Sequence, residues 1–355
     1  MPESFLSSER TKVSVIGGGA FGTALAAHAA GMGHDTLLWA RETEVVEAVN
    51  GVHENTVFLK GPKLPEALRA TGDLEAAVTH GELVLTVIPT PFLAATLKSV
   101  SHLLRGDQIL VSCTKGISND ALQTPDQILK GVLPPQIRHR LAFISGPSFA
   151  AEVARGIPTA VTVASHDEEI AQRVQTLFSS KRFRCYRTTD VVGVELAGAL
   201  KNVLAIACGI SDGLGFGANG RAALITRGLD EITRLAVAAG GNPLTLAGLA
   251  GVGDIVLTCT GDASRNRSVG LRLGKGEKLQ AVIDSMNGMV AEGVLTSRAA
   301  HNFAQKMGVE CPVLEGIYMV VNENADPLRV VEDNMSRPLK PEVSREVSKA
   351  VSKVA

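Results

Sequence analysis

Two hydrophobic periods divide the chain. Over residues 11–187, short β-branched or apolar runs (KVSVIG, DTLLWA, LVLTVI, QILVSC, LAFIS, TAVTVA and FRCYR) alternate with segments whose apolar positions recur every three to four residues. The helical segments include residues 22–31, 91–104 and 167–179. Strand and helix alternating in this way predict a mainly parallel sheet covered on both faces. Beyond Thr188 the strand-like runs stop. The pattern there is helix after helix, broken at SDGLGFGANG, GGNP, GLAGVGD and LGKGEK. The change of period sets a boundary, with an α/β domain over residues 1–188 and an all-helical domain over residues 189–355. No internal repeat is visible, and the tail from Ser336 is polar.

One helical segment breaks its own pattern. In ELAGALKNVLAIACGI, residues 195–210, Leu200, Val203, Leu204 and Ala207 mark an apolar face, yet Lys201 and Asn202 stand in the middle. The neighbours of Lys201 at three and four residues are Ala197, Gly198, Leu204 and Ala205, none of which can pair an ammonium. A lysine is rarely buried without a partner. The countercharge for Lys201 therefore has to come from elsewhere in the chain.

The first strand runs straight into GGGAFGTALA, where Gly17, Gly19 and Gly22 form G-x-G-x-x-G between a strand and a helix. Gly17 permits the tight turn, Gly19 lets backbone approach a pyrophosphate, and Gly22 lets helix and strand pack closely. The free N–H groups at the helix start then hold the anion. Position in the first strand–helix unit makes a dinucleotide the expected ligand. The second strand should end beside the adenosine ribose, where an NAD site usually carries an acid. Here it ends at Ala40 and Arg41, with Glu42 one step later. Arg41 suits a 2′-phosphate, so the choice between NAD and NADP stays open.

Composition narrows the partners. With 45% hydrophobic and 20% charged residues and a formal net charge of −1, the chain reads as globular, with no pull toward nucleic acid or an anionic membrane. No apolar run is read as long enough for a membrane span, since polar residues or prolines interrupt each candidate. The leader MPESFLSSER has no apolar stretch of the signal-peptide kind. The five cysteines, Cys113, Cys185, Cys208, Cys259 and Cys311, are scattered and form no CxxC, which favours reduced core thiols over disulfides or a metal site. No metal is expected.

Two segments of the helical half carry polar groups that packing does not explain. Asp254 follows three glycines in GLAGVGDIVLTC, and Ser264, Arg265, Asn266 and Arg267 stand ahead of a helix in SRNRSVGLRLG. Arginine, asparagine and serine at a helix N-terminus suit a phosphate. In the first half, CTKGI places Lys115 just past the strand QILVSC, and SGPSFAAEV follows LAFIS in the same manner. Ligands of doubly wound sheets collect outside the carboxyl ends of strands, so both segments should face the coenzyme crevice.

These segments together resemble the NAD(P)-dependent sn-glycerol-3-phosphate dehydrogenases over nearly the whole chain. The resemblance rests on GGGAFGTALA, VIPTPF, CTKGI, SGPSFAAEVA, GVELAGALKNVLAIACGISDGLGFGANGRAALITRGL, GLAGVGDIVLTC, SRNRSVG and VAEGV, in that order. It implies a Rossmann-type N-terminal domain followed by an all-α domain of the 6-phosphogluconate dehydrogenase-like kind. It also implies that Lys201 is the catalytic lysine, with Asp254, Asn202 and Thr258 around the reacting carbon. Arg265 and Asn266 would hold the substrate phosphate, with Lys115, Gly146, Ser148 and Ser264 near the substrate. Gly17, Gly19, Ala20, Phe21, Gly22, Arg41, Lys115, Ala150, Arg265, Val290 and Glu292 would contact the coenzyme, NAD or NADP. The departure is WAR after the second strand, where some members carry an acid.

On that resemblance Lys201 serves as general acid in reducing dihydroxyacetone phosphate to sn-glycerol 3-phosphate, and as base in reverse, feeding glycerophospholipid synthesis or glycerol metabolism. A homodimer in the cytoplasm is the family expectation, with an organelle as alternative if a leader has been removed. A β-hydroxyacid dehydrogenase would also need the glycine loop and a lysine beside asparagine, but not GLAGVGD and SRN together. A non-catalytic NAD(H) sensor would need no lysine in an apolar helix.

Overall fold

The computed structural model describes residues 9–286, 291–339, 341, 342 and 349. The chain divides into two compact units, Met1–Thr114 with Pro125–Val191, and Lys115–Thr124 with Val192–Ala355. The segment after the fifth strand thus leaves the first unit, so Lys115 belongs with the helical half.

The first unit is built on eight strands: β1 (Lys12–Ile16), β2 (Asp35–Trp39), β3 (Arg69–Thr71), β4 (Leu83–Thr86), β5 (Ile109–Ser112), β6 (Leu141–Ser145), β7 (Thr159–Ala164) and β8 (Phe183–Thr188). They form one sheet in the order β3-β2-β1-β4-β5-β6-β7-β8. All neighbours are parallel except β6 and β7, so the sheet is mainly parallel, as its alternation with helices requires. The helices are α1 (Ala20–Gly31), α2 (Thr43–Val52), α3 (Leu74–His80), α4 (Thr90–Val100), α5 (Pro125–Val132), α6 (Pro135–Arg138), α7 (Ala150–Ala154) and α8 (Glu168–Phe178). Strand order reverses at β1, which pairs β2 on one side and β4 on the other, the arrangement that leaves a ligand crevice at the strand ends.

The central strands are buried on both faces, and alternation decides which face each residue meets. Val13, Val15, Leu83, Leu85, Val111 and Ile144 join one core with Leu25, the alanines of α1 and Phe178. Each such valine, leucine, isoleucine or phenylalanine contributes roughly 1.5–3 kcal/mol by leaving water. The strand β3, which the hydrophobic pattern does not reveal, has only three residues, of which Ala70 alone is buried. It nevertheless fixes the exit of β2, because Ala40 donates its N–H to the Thr71 carbonyl (3.1 Å).

The second unit contains α9 (Val191–Gly213), α10 (Gly217–Ala238), α11 (Pro243–Leu246), α12 (Asp254–Thr260), α13 (Arg265–Gly274), α14 (Leu279–Asp284), α15 (Glu292–Met307), α16 (Pro312–Asn322) and α17 (Pro327–Met335). No strand occurs among its described residues. The expectation that no apolar run approaches a membrane span needs correction: α9 has 23 residues at mean hydropathy 1.7 and qualifies by length and composition. Its apolar window is 94% buried within the protein, which makes it a core helix. A second stretch, Pro243–Thr260, passes the same test with 44% burial and is divided among α11, a π turn and α12.

Glycines bring α9 and α13 unusually close. A Cβ on Gly209 would lie 2.1 Å from the Arg267 carbonyl oxygen, and one on Gly270 would lie 2.1 Å from that of Ile206. The close crossing fixes where α13 lies along α9, and it leaves Asn266 of its first turn against Asn202.

Candidate functional site

Lys201 is buried in α9, and its answer comes from α12. Its ammonium donates to Asp254 Oδ1, in an ion pair whose side chains are only 8% and 1% exposed. The segment GLAGVGD, expected to break the helices, instead forms a π turn over Leu249–Gly253 that runs directly into α12. Such turns re-aim the residue that follows them. Gly251 makes this one possible, since a Cβ there would stand 2.0 Å from the Leu246 carbonyl oxygen. Asp254 is therefore delivered, fully buried, opposite a lysine that its own helix leaves unpaired.

A second ammonium uses the other oxygen of the same carboxylate. Lys115 Nζ lies 3.2 Å from Asp254 Oδ2. Thr258, one turn along α12, donates its hydroxyl to the Asp254 carbonyl (2.6 Å) and approaches Oδ1 (3.3 Å). One buried carboxylate thus orients two lysines and is itself held by its helix.

The charges pull the titrations apart. Burial brings the Lys201 ammonium down to about 8, against the opposing field of Asp254 and with help from the Lys115 charge. Lys115 is displaced upward: burial disfavours its charge, but Asp254 and Glu292 together outweigh that cost. Asp254 opposes burial with two adjacent ammoniums and stays below the usual carboxylate range. Glu292 goes the other way, raised by burial against the fields of Lys115, Arg265 and Lys201.

A two-asparagine clasp frames this cluster. Asn266 Nδ2 donates to Asn202 Oδ1 (3.0 Å), and Asn266 Oδ1 accepts from the Gly293 N–H (2.9 Å). Asn202 Nδ2 in turn reaches Glu292 Oε2 (3.4 Å). Gly293, which the sequence reading did not single out, is what admits α15 here: a Cβ would lie 2.4 Å from the Asn202 carbonyl oxygen. Its signal was the glycine following glutamate in VAEGV.

The segment SRNR does not stand ahead of its helix, as its sequence suggested, but inside its first turn. Ser264 is the N-cap of α13, its hydroxyl accepting from the Arg267 N–H (3.2 Å). Arg267 is engaged with Asp212 and Asp262. Arg265 is exposed, without an ion pair or hydrogen bond among the described residues. Lys115, Lys201 and Arg265 set three cations against the two carboxylates of Asp254 and Glu292. The unbalanced positive charge and the helix N-terminus make this an anion-receptive place.

In the first unit the glycine turn meets a stringent steric test. Gly17 has φ +131°, and a Cβ there would stand 2.4 Å from the Val87 carbonyl oxygen. A Cβ on Gly22 would lie 1.9 Å from the Gly17 carbonyl oxygen, whereas one on Gly19 would meet nothing within 4 Å. The turn is thus packed at Gly17, Gly18 and Gly22 and open at Gly19, directly before α1, whose first turn has no side-chain cap. Ala20 and Phe21 begin that helix and pack on the core. This shape fits the pyrophosphate of a dinucleotide.

The other sequence candidates fall as follows. Arg41 is exposed and bound to its neighbour, with Nε and Nη2 both donating to Glu42 Oε1 (3.2 and 2.9 Å). Gly146 follows β6 at φ +142°, its carbonyl accepting from the Ser148 hydroxyl (2.9 Å), and Ala150 opens α7. Val290 lies outside the described residues. All five cysteines are free and buried, and burial pushes the Cys185 and Cys311 thiols up to about 12.

Family comparison gives the cluster its setting. The profile of the NAD-dependent glycerol-3-phosphate dehydrogenase N-terminus matches residues 12–171, and that of the C-terminus matches residues 190–332. The chain belongs to this family. A glycerol-3-phosphate dehydrogenase (NAD(P)+) of Citrifermentans bemidjiense is 51% identical over 331 residues, 93% of this chain and 98% of its own length. Its counterpart in Myxococcus xanthus is 49% identical over the same share of this chain and 98% of its own. Among solved structures, glycerol-3-phosphate dehydrogenase from Coxiella burnetii superposes with TM-score 0.87 at 36% identity, covering 92% of this chain and 99% of its own. A ketopantoate reductase from Ralstonia eutropha, 17% identical with TM-score 0.55, shares the fold alone. The family assignment agrees with the resemblance drawn from the motifs, and with the Rossmann-type and helical halves.

Proposed function

We propose that the protein reduces dihydroxyacetone phosphate to sn-glycerol 3-phosphate with NADH or NADPH, reversibly, and that Lys201 is its general acid and base. The observation that carries this reading is the Lys201–Asp254 pair, an ammonium brought down to about 8 inside a buried cluster. A group titrating there can give and take a proton near neutral pH, which an ordinary lysine cannot do well.

Residues 1–188 take the coenzyme on the glycine turn, with Gly17, Gly19, Ala20, Phe21 and Gly22 at the pyrophosphate and Arg41 toward the adenosine ribose. Ala150, at the start of α7 in the same unit, adds to the coenzyme contacts. Bound coenzyme supplies hydride in the reducing direction and accepts it in the other. As the carbonyl carbon becomes tetrahedral, its oxygen gains negative charge. Lys201 stabilises that charge and gives up a proton to it, leaving a neutral amine. In oxidation the amine removes the hydroxyl proton.

Asp254 keeps the buried lysines from being uncompensated charges and orients them, while Thr258 holds Asp254. Lys115 adds positive potential toward the substrate. Arg265 and the remaining N–H of Asn266 bind the phosphate at the start of α13, whose N-cap is Ser264. Asn202 is held by Asn266 beside the reacting lysine. The same reading takes the enzyme as a cytoplasmic homodimer with small-molecule substrates, to be tested by light scattering on the purified chain and by fractionation.

The deciding experiment is optical. Oxidation of NADH and of NADPH is followed with dihydroxyacetone phosphate, and coenzyme reduction with sn-glycerol 3-phosphate. No turnover with either phosphate under either coenzyme would end the reading. Turnover undiminished in Lys201→Met would end the role of the lysine.

A further inference from the structure

Asn55 stands in the loop that follows α2, and its side chain is fully buried. A buried amide has to find partners, and this one uses every donor and acceptor it has. Oδ1 accepts from the Val57 and Phe58 N–H groups (3.2 and 2.9 Å), so the loop is wound on the amide itself. The backbone closes the same loop, the Asn55 carbonyl accepting from Leu59 (3.1 Å). Nδ2 reaches out of the loop and donates to the Gly18 carbonyl and to the Thr23 hydroxyl, both at 2.8 Å. Thr23, fully buried in α1, in turn donates to that same Gly18 carbonyl (3.3 Å).

Two donors on one carbonyl fix the plane of the Gly18–Gly19 peptide. In a trans peptide the C=O and the N–H point to opposite sides. The Gly19 N–H is therefore turned away from Asn55 and Thr23, and it donates to nothing among the described residues. A Cβ on Gly19 would meet nothing within 4 Å, whereas one on Gly18 would stand 2.4 Å from Ala40 Cβ. Glycine on both sides leaves this peptide without side chains that would resist its rotation. Its orientation is set from outside, by a loop some forty residues on.

We infer, given the coenzyme reading of the glycine turn, that Asn55 is a positioning residue for the pyrophosphate. Its amide holds the Gly18 carbonyl back, so that the Gly19 N–H is already aimed outward when the anion arrives. Asn55 touches no coenzyme atom and acts through this one peptide. With the carbonyl released, the peptide could turn and present an acceptor oxygen to the same anion, and part of the binding free energy would go into ordering it. An asparagine that served the fold alone would stabilise the loop and leave affinity for an anion as it is.

Displacement of NADH fluorescence from the whole protein gives dissociation constants for ADP-ribose, which carries the pyrophosphate, and for adenosine, which carries none. Asn55→Asp keeps the shape and both acceptor bonds to the loop, and sets an acceptor against the Gly18 carbonyl. It should weaken NADH and ADP-ribose by about ten-fold and spare adenosine, raising KM for NADH far more than it changes kcat. Thr23→Val takes the second donor from the same carbonyl and covers the case in which a buried carboxylate prevents folding. It should weaken ADP-ribose by about three-fold, and Thr23→Ser, which keeps the hydroxyl, should restore the affinity. Equal losses on adenosine and ADP-ribose, or a lower melting temperature with unchanged affinity for ADP-ribose, overturn the role of Asn55 and leave the coenzyme site standing. Failure of the wild-type protein to bind NADH and ADP-ribose overturns both.

Discussion

The Lys201 ammonium and the Asp254 carboxylate meet across α9 and α12 where neither helix offers its own residue another partner of opposite charge within a turn. The pair is a site-building relationship, because each charge would be costly to bury alone. Removing one partner of a buried pair typically costs about 3–5 kcal/mol, mostly through the charge left behind.

Loss of Lys201 is therefore expected to be a chemical defect. A positioned acid or base contributes roughly 10²–10⁴-fold. Lys201→Met should lower turnover by a factor in that range while coenzyme affinity, read by fluorescence titration, stays near that of the wild type. Arginine should rescue little, since its guanidinium does not release a proton near neutral pH. Stability falls in the methionine variant on either reading, but a lysine that merely anchors the core would keep its rate.

The pH dependence has a definite sign. Lys201 is cationic below about 8 and neutral above it. Reduction needs the ammonium, so its kcat/KM should fall as pH rises through about 8. Oxidation needs the free amine, so its kcat/KM should rise through the same region. Asp254→Asn removes a charge that favours the ammonium and should move both inflections to lower pH. Profiles that stay flat between 6.5 and 9.5 in both directions, or that bend the same way in both, would contradict this assignment of roles.

Much of the architecture was legible because it rests on local period. The alternation of β-branched runs and amphipathic segments located seven of the eight strands, and only the three-residue β3 lacked enough length to show a pattern. The partnership at Lys201 could be posed from sequence, since no neighbour within a helical turn could answer its charge. It could not be resolved by spacing: Asp254 is 53 residues away and is aimed by a π turn that reads as a loop because three glycines dominate it. The same holds for Asn266, whose engagement with Asn202 depends on how closely glycines let α9 and α13 cross. Period reports which face is buried, and tertiary approach decides what that face meets.

Asn266 and Arg265 should fail differently although they are adjacent. Arg265 is exposed and free to meet an anion, so Arg265→Ala should raise KM for dihydroxyacetone phosphate steeply and matter far less for dihydroxyacetone lacking the phosphate. Asn266 also holds Asn202, so Asn266→Ala should lower kcat on both substrates in addition to raising KM. If the two variants show the same split between KM and kcat on both substrates, the clasp has no part in orienting the reacting groups.

Gly19 and Gly22 give a test in which stability and binding separate. A methyl group at Gly19 meets nothing within 4 Å, and its backbone (φ −67°, ψ 177°) suits any residue. Gly19→Ala should therefore fold with an unchanged melting temperature while weakening NADH and NADPH alike, because the methyl occupies the place where backbone approaches the pyrophosphate. At Gly22 the same methyl would stand 1.9 Å from the Gly17 carbonyl oxygen. Gly22→Ala should cost about 1–3 kcal/mol through forced displacement of α1 from β1, visible as a lower denaturation midpoint. Equal losses of stability in the two variants would mean that the open centre of the turn is not built for a ligand. Full coenzyme affinity in Gly19→Ala would remove the pyrophosphate from that position.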